Sequence, residues 1–325
     1  MKKYNVAIVG ATGLIGSKFI SVLLKRNFPI NNLKLLASPK SVGKKIIING
    51  NTFVVEGLDE NSFKNIDLAF FSAGAEVSKN FAKIATESGA TVVDNSSAFR
   101  MEKDVPLIVP EINGEILKSY EGKLISNPNC STIQGVLPLK NLDRLFGLKR
   151  IIFTTYQAVS GSGNKGINDL YANLRGLKPS FYPVDISKNT LPQIGNLSKW
   201  GYTEEELKMV NETRKIFSKN IPISSTCVRV PIENCHAVSV EVELKKDFYD
   251  EEIKSIISDT EGVKVVDLPL QERASGKDDV FVGRIKRSLA FKNGLSFYCV
   301  SDNTLKGASL NAVQIAELLL SFGKL

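Results

Sequence analysis

One histidine, His236, occurs in 325 residues, and the four cysteines, Cys130, Cys227, Cys235 and Cys299, form no Cys-x-x-Cys pair. That scarcity argues against a metal centre built from clustered imidazoles and thiolates, and no metal is expected. In a reducing compartment the cysteines should be free thiols. No run approaches the roughly 18 apolar residues of a membrane span. The opening Met1-Lys2-Lys3-Tyr4-Asn5 leads straight into a strand pattern without the apolar core or cleavage site of an export signal. A cytoplasmic location is therefore expected. Charge is not gathered in a tract: 42 Lys+Arg against 34 Asp+Glu give +8. No nucleic-acid motif accompanies the excess. A solvated surface explains it, and it also suits a small anionic substrate. Repeats and low-complexity segments are absent.

What is present is a hydrophobic content of 43% on a chain long for one core, so two domains are expected. Strands are read at Lys3 to Val9, Leu33 to Ala37, Asp67 to Phe71 and Thr91 to Asp94, with helical spacing over residues 14–26 and 76–88. Such alternation indicates parallel βαβ units. Lys45 to Ile48 and Thr52 to Val55 flank Asn49-Gly50, a hairpin signal. Beyond a helical run from Thr132 to Phe146 the pattern changes. A strand covers Lys149 to Val159, a charged amphipathic helix residues 203–218, and long alternating strands follow at Ser225 to Val230, Ala237 to Leu244, Val280 to Lys286 and Leu295 to Ser301. Asn293-Gly294 is expected to turn a hairpin, and Leu305 to Phe322 to close the chain as an apolar helix. Long strands with few helices between them predict a mixed or antiparallel sheet.

Gly10, Gly13 and Gly16 sit between the first strand and the first helix. Glycines there permit a tight turn and close approach of a pyrophosphate to the helix N-terminus. The alternative is a purely structural turn. Ser38-Pro39-Lys40-Ser41 follows the second strand, where an acidic residue would bind a ribose 2′-hydroxyl. A polar and basic loop instead suits a 2′-phosphate, hence NADP over NAD, although it also fits an ordinary basic surface loop.

Cys130 lies in Ser126-Asn127-Pro128-Asn129-Cys130-Ser131-Thr132, between a strand end and a helical run. A thiol at a helix N-terminus is favoured as thiolate, the nucleophilic form. A buried free cysteine is equally compatible with this placement. Cofactor and thiol together point to thioester chemistry on an aldehyde, which needs a base nearby. His236 is the one histidine available.

These motifs resemble the aspartate-semialdehyde dehydrogenase family. The resemblance runs through Gly10-Ala11-Thr12-Gly13, the Ser126 to Thr132 segment, Tyr156-Gln157-Ala158-Val159-Ser160-Gly161, Asn211-Glu212-Thr213-Arg214-Lys215 and Arg229-Val230-Pro231 with His236, in order along the chain. It implies an α/β fold: an N-terminal Rossmann-type NADP-binding domain, residues 1–127 completed by a C-terminal helix 305–325, and an α+β catalytic and dimerisation domain with a large mixed sheet, residues 128–304. Cys130 would then stand at the domain junction, where ligand sites concentrate. The reaction implied is NADPH-dependent reductive dephosphorylation of L-4-aspartyl phosphate to aspartate 4-semialdehyde, a step in lysine, methionine and threonine biosynthesis, by a homodimer acting on small molecules with no nucleic-acid or membrane partner.

Residue by residue, the resemblance makes Cys130 the nucleophile, His236 the acid/base and Gln157 the residue that orients the acyl intermediate. Arg229 would pair with the substrate α-carboxylate, Glu212 with its ammonium, and Lys215, Arg100 and Asn129 with phosphate. Cofactor contacts would come from Gly10, Thr12, Gly13, Leu14, Ile15, Gly16, Ser38, Lys40, Ser41, Ser160, Gly161 and Asn303. Read without the resemblance, Glu212 and Lys215 form a surface ion pair, and Arg100 and Arg229 are surface or interdomain charges. Three positions depart from the family pattern: Lys40 for arginine, Ser162 for alanine, and Cys235-His236-Ala237 for Gly-His-Ser. N-acetyl-γ-glutamyl-phosphate reductase uses similar logic and is the rival enzyme; a non-catalytic nucleotide-binding paralogue is the rival of another class.

Overall fold

The computed structural model describes residues 2–48 and 50–325. The chain forms two compact units: one runs to Pro128 and resumes at Ala308, and the other comprises Asn129–Gly307. Among the described residues no helix is long and apolar enough to cross a membrane.

The first unit is built on strands β1 (Tyr4–Val9), β2 (Ile30–Ala37), β3 (Lys45–Ile48), β4 (Asn51–Gly57), β5 (Leu68–Phe71), β6 (Thr91–Asp94) and β7 (Leu124–Ser126). Their order across the sheet is β3-β4-β2-β1-β5-β6-β7. All neighbours pair in parallel except the edge hairpin β3–β4. Val6 to Val9 and Leu68 to Phe71 are wholly buried, as expected where a parallel sheet is covered on both faces. The expected hairpin residue Asn49 lies outside the described residues; Ile48 pairs with Asn51 around it. Strand order reverses beside β1: the chain builds outward through β2 and β4, then returns to β5 on the other side. Ligands of open α/β sheets bind at such a switch point. The helix Leu310–Ser321 returns to this unit and packs against β6 and the helix Leu14–Lys25.

The second unit carries β8 (Leu148–Gln157), β9 (Ile223–Arg229), β10 (His236–Leu244), β11 (Val263–Val265), β12 (Val280–Arg287) and β13 (Gly294–Ser301), in the order β11-β12-β13-β10-β8-β9. The sheet is mixed: β8–β9 and β11–β12 are parallel, the other pairs antiparallel. Alternation along β8 buries Ile151, Phe153, Thr155 and Gln157 and turns Ile152 and Tyr156 outward.

Three expectations need correction. The helical run read from Thr132 to Phe146 begins earlier and is broken: a helix Cys130–Val136, a 3-10 turn Leu137–Leu139 and a helix Lys140–Phe146. Pro138 supplies no N–H for a continuous helix. The closing helix is likewise divided, with a π-helical turn Leu305–Ser309 ahead of Leu310–Ser321. Asn293-Gly294 makes no two-residue turn; β12 and β13 are joined by residues 288–293, closed by the Ser288 N–H on the Gly294 carbonyl at 2.9 Å.

Candidate active site

Asn129 sets the position of the cysteine. Its backbone is extended (φ −61°, ψ 144°), and its Oδ1 accepts from the N–H groups of Ser131 (2.9 Å) and Thr132 (3.3 Å). This is an N-cap: the side chain satisfies donors that the first helical turn leaves open. Cys130 is therefore the first helical residue, in the positive field of the helix start. It is partly exposed, whereas Cys227, Cys235 and Cys299 are buried. Burial pushes the Cys227 and Cys235 thiols up to about 12 and raises Cys299 as well, so those three are poor nucleophiles. Gly307 passes directly against the cysteine: a Cβ there would lie 2.9 Å from Cys130 Cβ.

The sheet of this unit brings the other groups to one end. Gln157 closes β8 and pairs in register with Arg229, which closes β9. His236 opens β10 opposite Ser301 at the end of β13. The residue after Gln157 is held at both its backbone groups: the Ala158 N–H donates to His236 Nδ1 at 3.0 Å, and Arg229 Nη1 donates to the Ala158 carbonyl at 2.7 Å. Accepting at Nδ1 places the imidazole proton on Nε2. That atom is buried and finds no hydrogen-bond partner among the described residues. Burial, then the Arg229 charge, drive the His236 pKa down to about 3, with the Glu205 carboxylate opposing. His236 is thus a neutral imidazole with an uncommitted N–H. Gly161 leaves the space beside it; a Cβ there would stand 2.8 Å from Arg229 Nη1 and 3.0 Å from His236 Nε2.

Cys235 gives the departure before His236 a physical account. It has φ +70°, a conformation that glycine adopts freely and other residues adopt at a cost of about 1 kcal/mol or more. Its N–H donates to Asn303 Oδ1 at 3.0 Å, and the Asn303 amide in turn meets Ser160 Oγ at 3.0 Å. Ser160 also donates to Asn234 Oδ1 at 3.1 Å. Ser160 and Asn303 therefore brace the turn that delivers the histidine. Ser162, the other departure in this loop, accepts from the Tyr182 hydroxyl at 3.0 Å.

Glu212 lies in the interior, not on the surface. It is 1% exposed and accepts from the Asn129 backbone N–H at 2.6 Å, while Lys215 on the same helix is partly buried. Arg229 is also buried rather than a surface charge. A residue that the sequence reading missed, Glu205, accepts from both Asn129 Nδ2 (2.8 Å) and Gln157 Nε2 (3.0 Å). The signal was its spacing of seven from Glu212, which puts both on one helical face.

The first unit holds the remaining candidates. Arg100 is buried, its Nε on the Asn127 carbonyl and its Nη2 on the Asn95 carbonyl, each at 2.9 Å. In the glycine loop, Gly10 has φ +86°, and a Cβ on it would meet the Ser72 carbonyl oxygen at 2.8 Å; one on Gly16 would meet the Gly10 oxygen at 2.1 Å. Gly13 precedes the helix Leu14–Lys25, whose first residues include Leu14 and Ile15. Thr12 Oγ1 reaches Ser41 Oγ at 3.4 Å, joining this loop to the turn Pro39–Ser41, where Ser38 and Lys40 are exposed. Bare backbone at a helix N-terminus beside exposed polar and basic groups fits a dinucleotide. Among the described residues no cluster of His, Cys, Asp and Glu is arranged to hold a metal ion.

The chain is similar to known proteins over its whole length. The family description "Semialdehyde dehydrogenase, NAD binding domain" matches residues 5–120, and "Semialdehyde dehydrogenase, dimerisation domain" matches residues 138–306. The chain is 46% identical to the aspartate-semialdehyde dehydrogenase of Aquifex aeolicus, over 98% of this chain and 99% of that one, and 43% identical to that of Bacillus subtilis, over 97% of each. Among solved structures, aspartate semialdehyde dehydrogenase II of Vibrio cholerae complexed with ASA superposes with a TM-score of 0.94 at 42% identity, covering 99% of both chains. The Candida albicans enzyme with NADP gives 0.80 at 25% identity over the full length of both.

Proposed function

We propose that this chain, which belongs to the aspartate-semialdehyde dehydrogenase family, interconverts L-4-aspartyl phosphate and L-aspartate 4-semialdehyde through a thioester on Cys130. The observation that carries the reading is the His236 Nε2–H, buried and uncommitted, in a cluster that ties Gln157, Arg229 and Asn129 to the head of the cysteine's helix.

The Cys130 sulfur attacks the acyl carbon of the substrate, and the carbon–oxygen bond to phosphate breaks. Cys130 reacts as the thiolate favoured at the helix start, its proton released to solvent, and the His236 Nε2–H donates to the oxygen that becomes charged. Arg229 receives the α-carboxylate with its planar fork. Gln157 offers its remaining amide hydrogen-bonding capacity to the acyl group. Glu212 meets the ammonium, and Lys215 and Asn129 bind phosphate; the resemblance alone assigns Arg100 to the same phosphate. When bound, the nicotinamide cofactor supplies or accepts the hydride. Gly10, Thr12, Gly13, Leu14, Ile15 and Gly16 receive its pyrophosphate region, and Ser38, Lys40 and Ser41, with no acidic residue among them, favour the 2′-phosphate of NADP. Ser160, Gly161 and Asn303 shape the loop on the nicotinamide side. The outward Ile152 and Tyr156 of β8 suit a homodimer formed through this sheet.

The test is reduction of NADP by aspartate 4-semialdehyde with and without phosphate, before and after thiol alkylation. Phosphate-dependent turnover abolished by alkylation is expected; turnover of only N-acetylglutamate semialdehyde would overturn the substrate assignment.

A further inference from the structure

The helix Glu204–Phe217 opens with a capping box, Thr203 and Glu206, so its acidic first turn reads as ordinary helix chemistry. Glu205 does something else. It is 6% exposed, and both its oxygens are used. Oε1 accepts from Asn129 Nδ2 at 2.8 Å and from Gln157 Nε2 at 3.0 Å; Oε2 accepts from Lys208 Nζ at 3.0 Å. Burial by itself would raise this carboxyl, but the Lys208 charge and the Gln157 and Asn129 hydrogen bonds outweigh it and hold the pKa at about 2. Glu205 is ionised at any pH near neutrality, and an ionised carboxylate only accepts.

An acceptor shared by two amides decides which way both of them face. Asn129 turns its NH2 to Glu205, which leaves Oδ1 for the Ser131 and Thr132 N–H groups. Gln157 does the same, which leaves its Oε1 for the Thr155 hydroxyl at 3.0 Å. Flipping either amide would set two buried acceptors against each other, costlier than the loss of one hydrogen bond. The same helical face holds Asn129 a second time, through Glu212 on its backbone N–H, and Met209 Sδ accepts from Thr132 Oγ1 at 3.5 Å.

We propose that Glu205 is a positioning residue for the reaction: one buried carboxylate orients both the Asn129 cap at the head of the Cys130 helix and the Gln157 amide, and so couples nucleophile placement to acyl-group placement. The assignment rests on the roles of Cys130 and Gln157 given above.

The test is Glu205→Gln, which keeps the volume, loses the charge and can donate as well as accept. In the phosphate-dependent oxidation of aspartate 4-semialdehyde, kcat is expected to fall about 10- to 100-fold, the scale of a small misplacement, while KM for semialdehyde and NADP moves less than about threefold. In a Gln157→Ala background the same change is expected to cost at least about threefold less, because one of the amides it orients is gone. An unchanged kcat, or equal losses in the two backgrounds, overturns the proposal. Should Glu205→Gln not fold, Glu205→Asp, which keeps the charge and shortens the reach, is put through the same cycle. A crystal structure of the variant supplies a readout independent of substrate: a rotated amide at Gln157 or Asn129 is expected, and two unmoved amides overturn the proposal. If the wild-type protein fails to oxidise aspartate 4-semialdehyde, the functional reading falls, and the crystal structure still decides the role of Glu205.

Discussion

The glycine loop of the first unit and the strand-end cluster of the second, the two candidate ligand sites, are built by opposite means. The loop works by omission. Gly10 and Gly16 leave out side chains where a Cβ would strike backbone at 2.8 and 2.1 Å, and the groups proposed to select the cofactor, Ser38 and Lys40, stand in solvent. The cluster works by saturation. Gln157, Glu205, Glu212, Arg229 and His236 are all buried and hydrogen-bonded to neighbours, while the His236 Nε2 finds no partner among the described residues. A change in the loop should therefore act locally, on cofactor binding, whereas a change in the cluster should spread to several groups through shared hydrogen bonds.

The sharpest break in that contrast is at His236. Replacement by Gln removes the imidazole that fixes the Nε2–H donor, and kcat is expected to fall by about 10²–10³-fold, the usual worth of a positioned donor to a developing oxyanion. Stopped-flow measurement of hydride transfer checks it; a loss under tenfold would return the histidine to a structural role. Next come two matched glycines. Gly161→Ala pushes a methyl to 2.8 Å from Arg229 and 3.0 Å from His236, and kcat should drop about 10- to 100-fold, as misplacement of reacting groups does. Gly16→Ala collides with backbone in the first unit and should instead raise KM for the cofactor and lower Tm. Exchanged phenotypes would undo the comparison.

Acid should weaken the cluster in a readable way. His236 has a folded pKa near 3 against an ordinary 6.5. Since the folded value is depressed, the neutral-form stability is fully present above about 6.5 and is lost as pH falls from there towards 3, at up to about 1.4 kcal/mol per unit. Urea unfolding at pH 7, 5.5 and 4 should show this slope, reduced in His236→Gln; parallel slopes in the two proteins would contradict it. The smallest effect belongs to the exposed loop. Lys40→Ala should reduce the NADPH over NADH preference in kcat/KM about tenfold or less and leave kcat alone, consistent with one solvent-facing charge.

Legibility differed between the regions for physical reasons. The parallel strands of the first unit were readable because burial on both faces writes an unbroken apolar run, as in Leu68 to Phe71. Cys130 was readable because a turn, a cap residue and a helix start are adjacent in sequence. The helix that follows was read too long although Pro138 lies within it, since the apolar residues on either side keep helical spacing. The π-helical turn at Leu305–Ser309 has the same apolar signature as the helix it precedes and left no mark. Cys235 could be seen as a departure, but its left-handed backbone belongs to the folded turn. Glu205 was concealed by its setting: three consecutive acids at a helix start look like a solvated first turn, and only the pairing with Asn129 and Gln157, distant in sequence, shows otherwise.

The central claim is that Cys130 carries an acyl group between phosphate and hydride chemistry. Its most direct measurement is acid quenching of the enzyme with aspartate 4-semialdehyde and NADP in the absence of phosphate, followed by peptide mass analysis. An aspartyl group on the peptide containing Cys130, discharged when phosphate is added before the quench, is the predicted result. Turnover with no adduct, or an adduct on another residue, would contradict it.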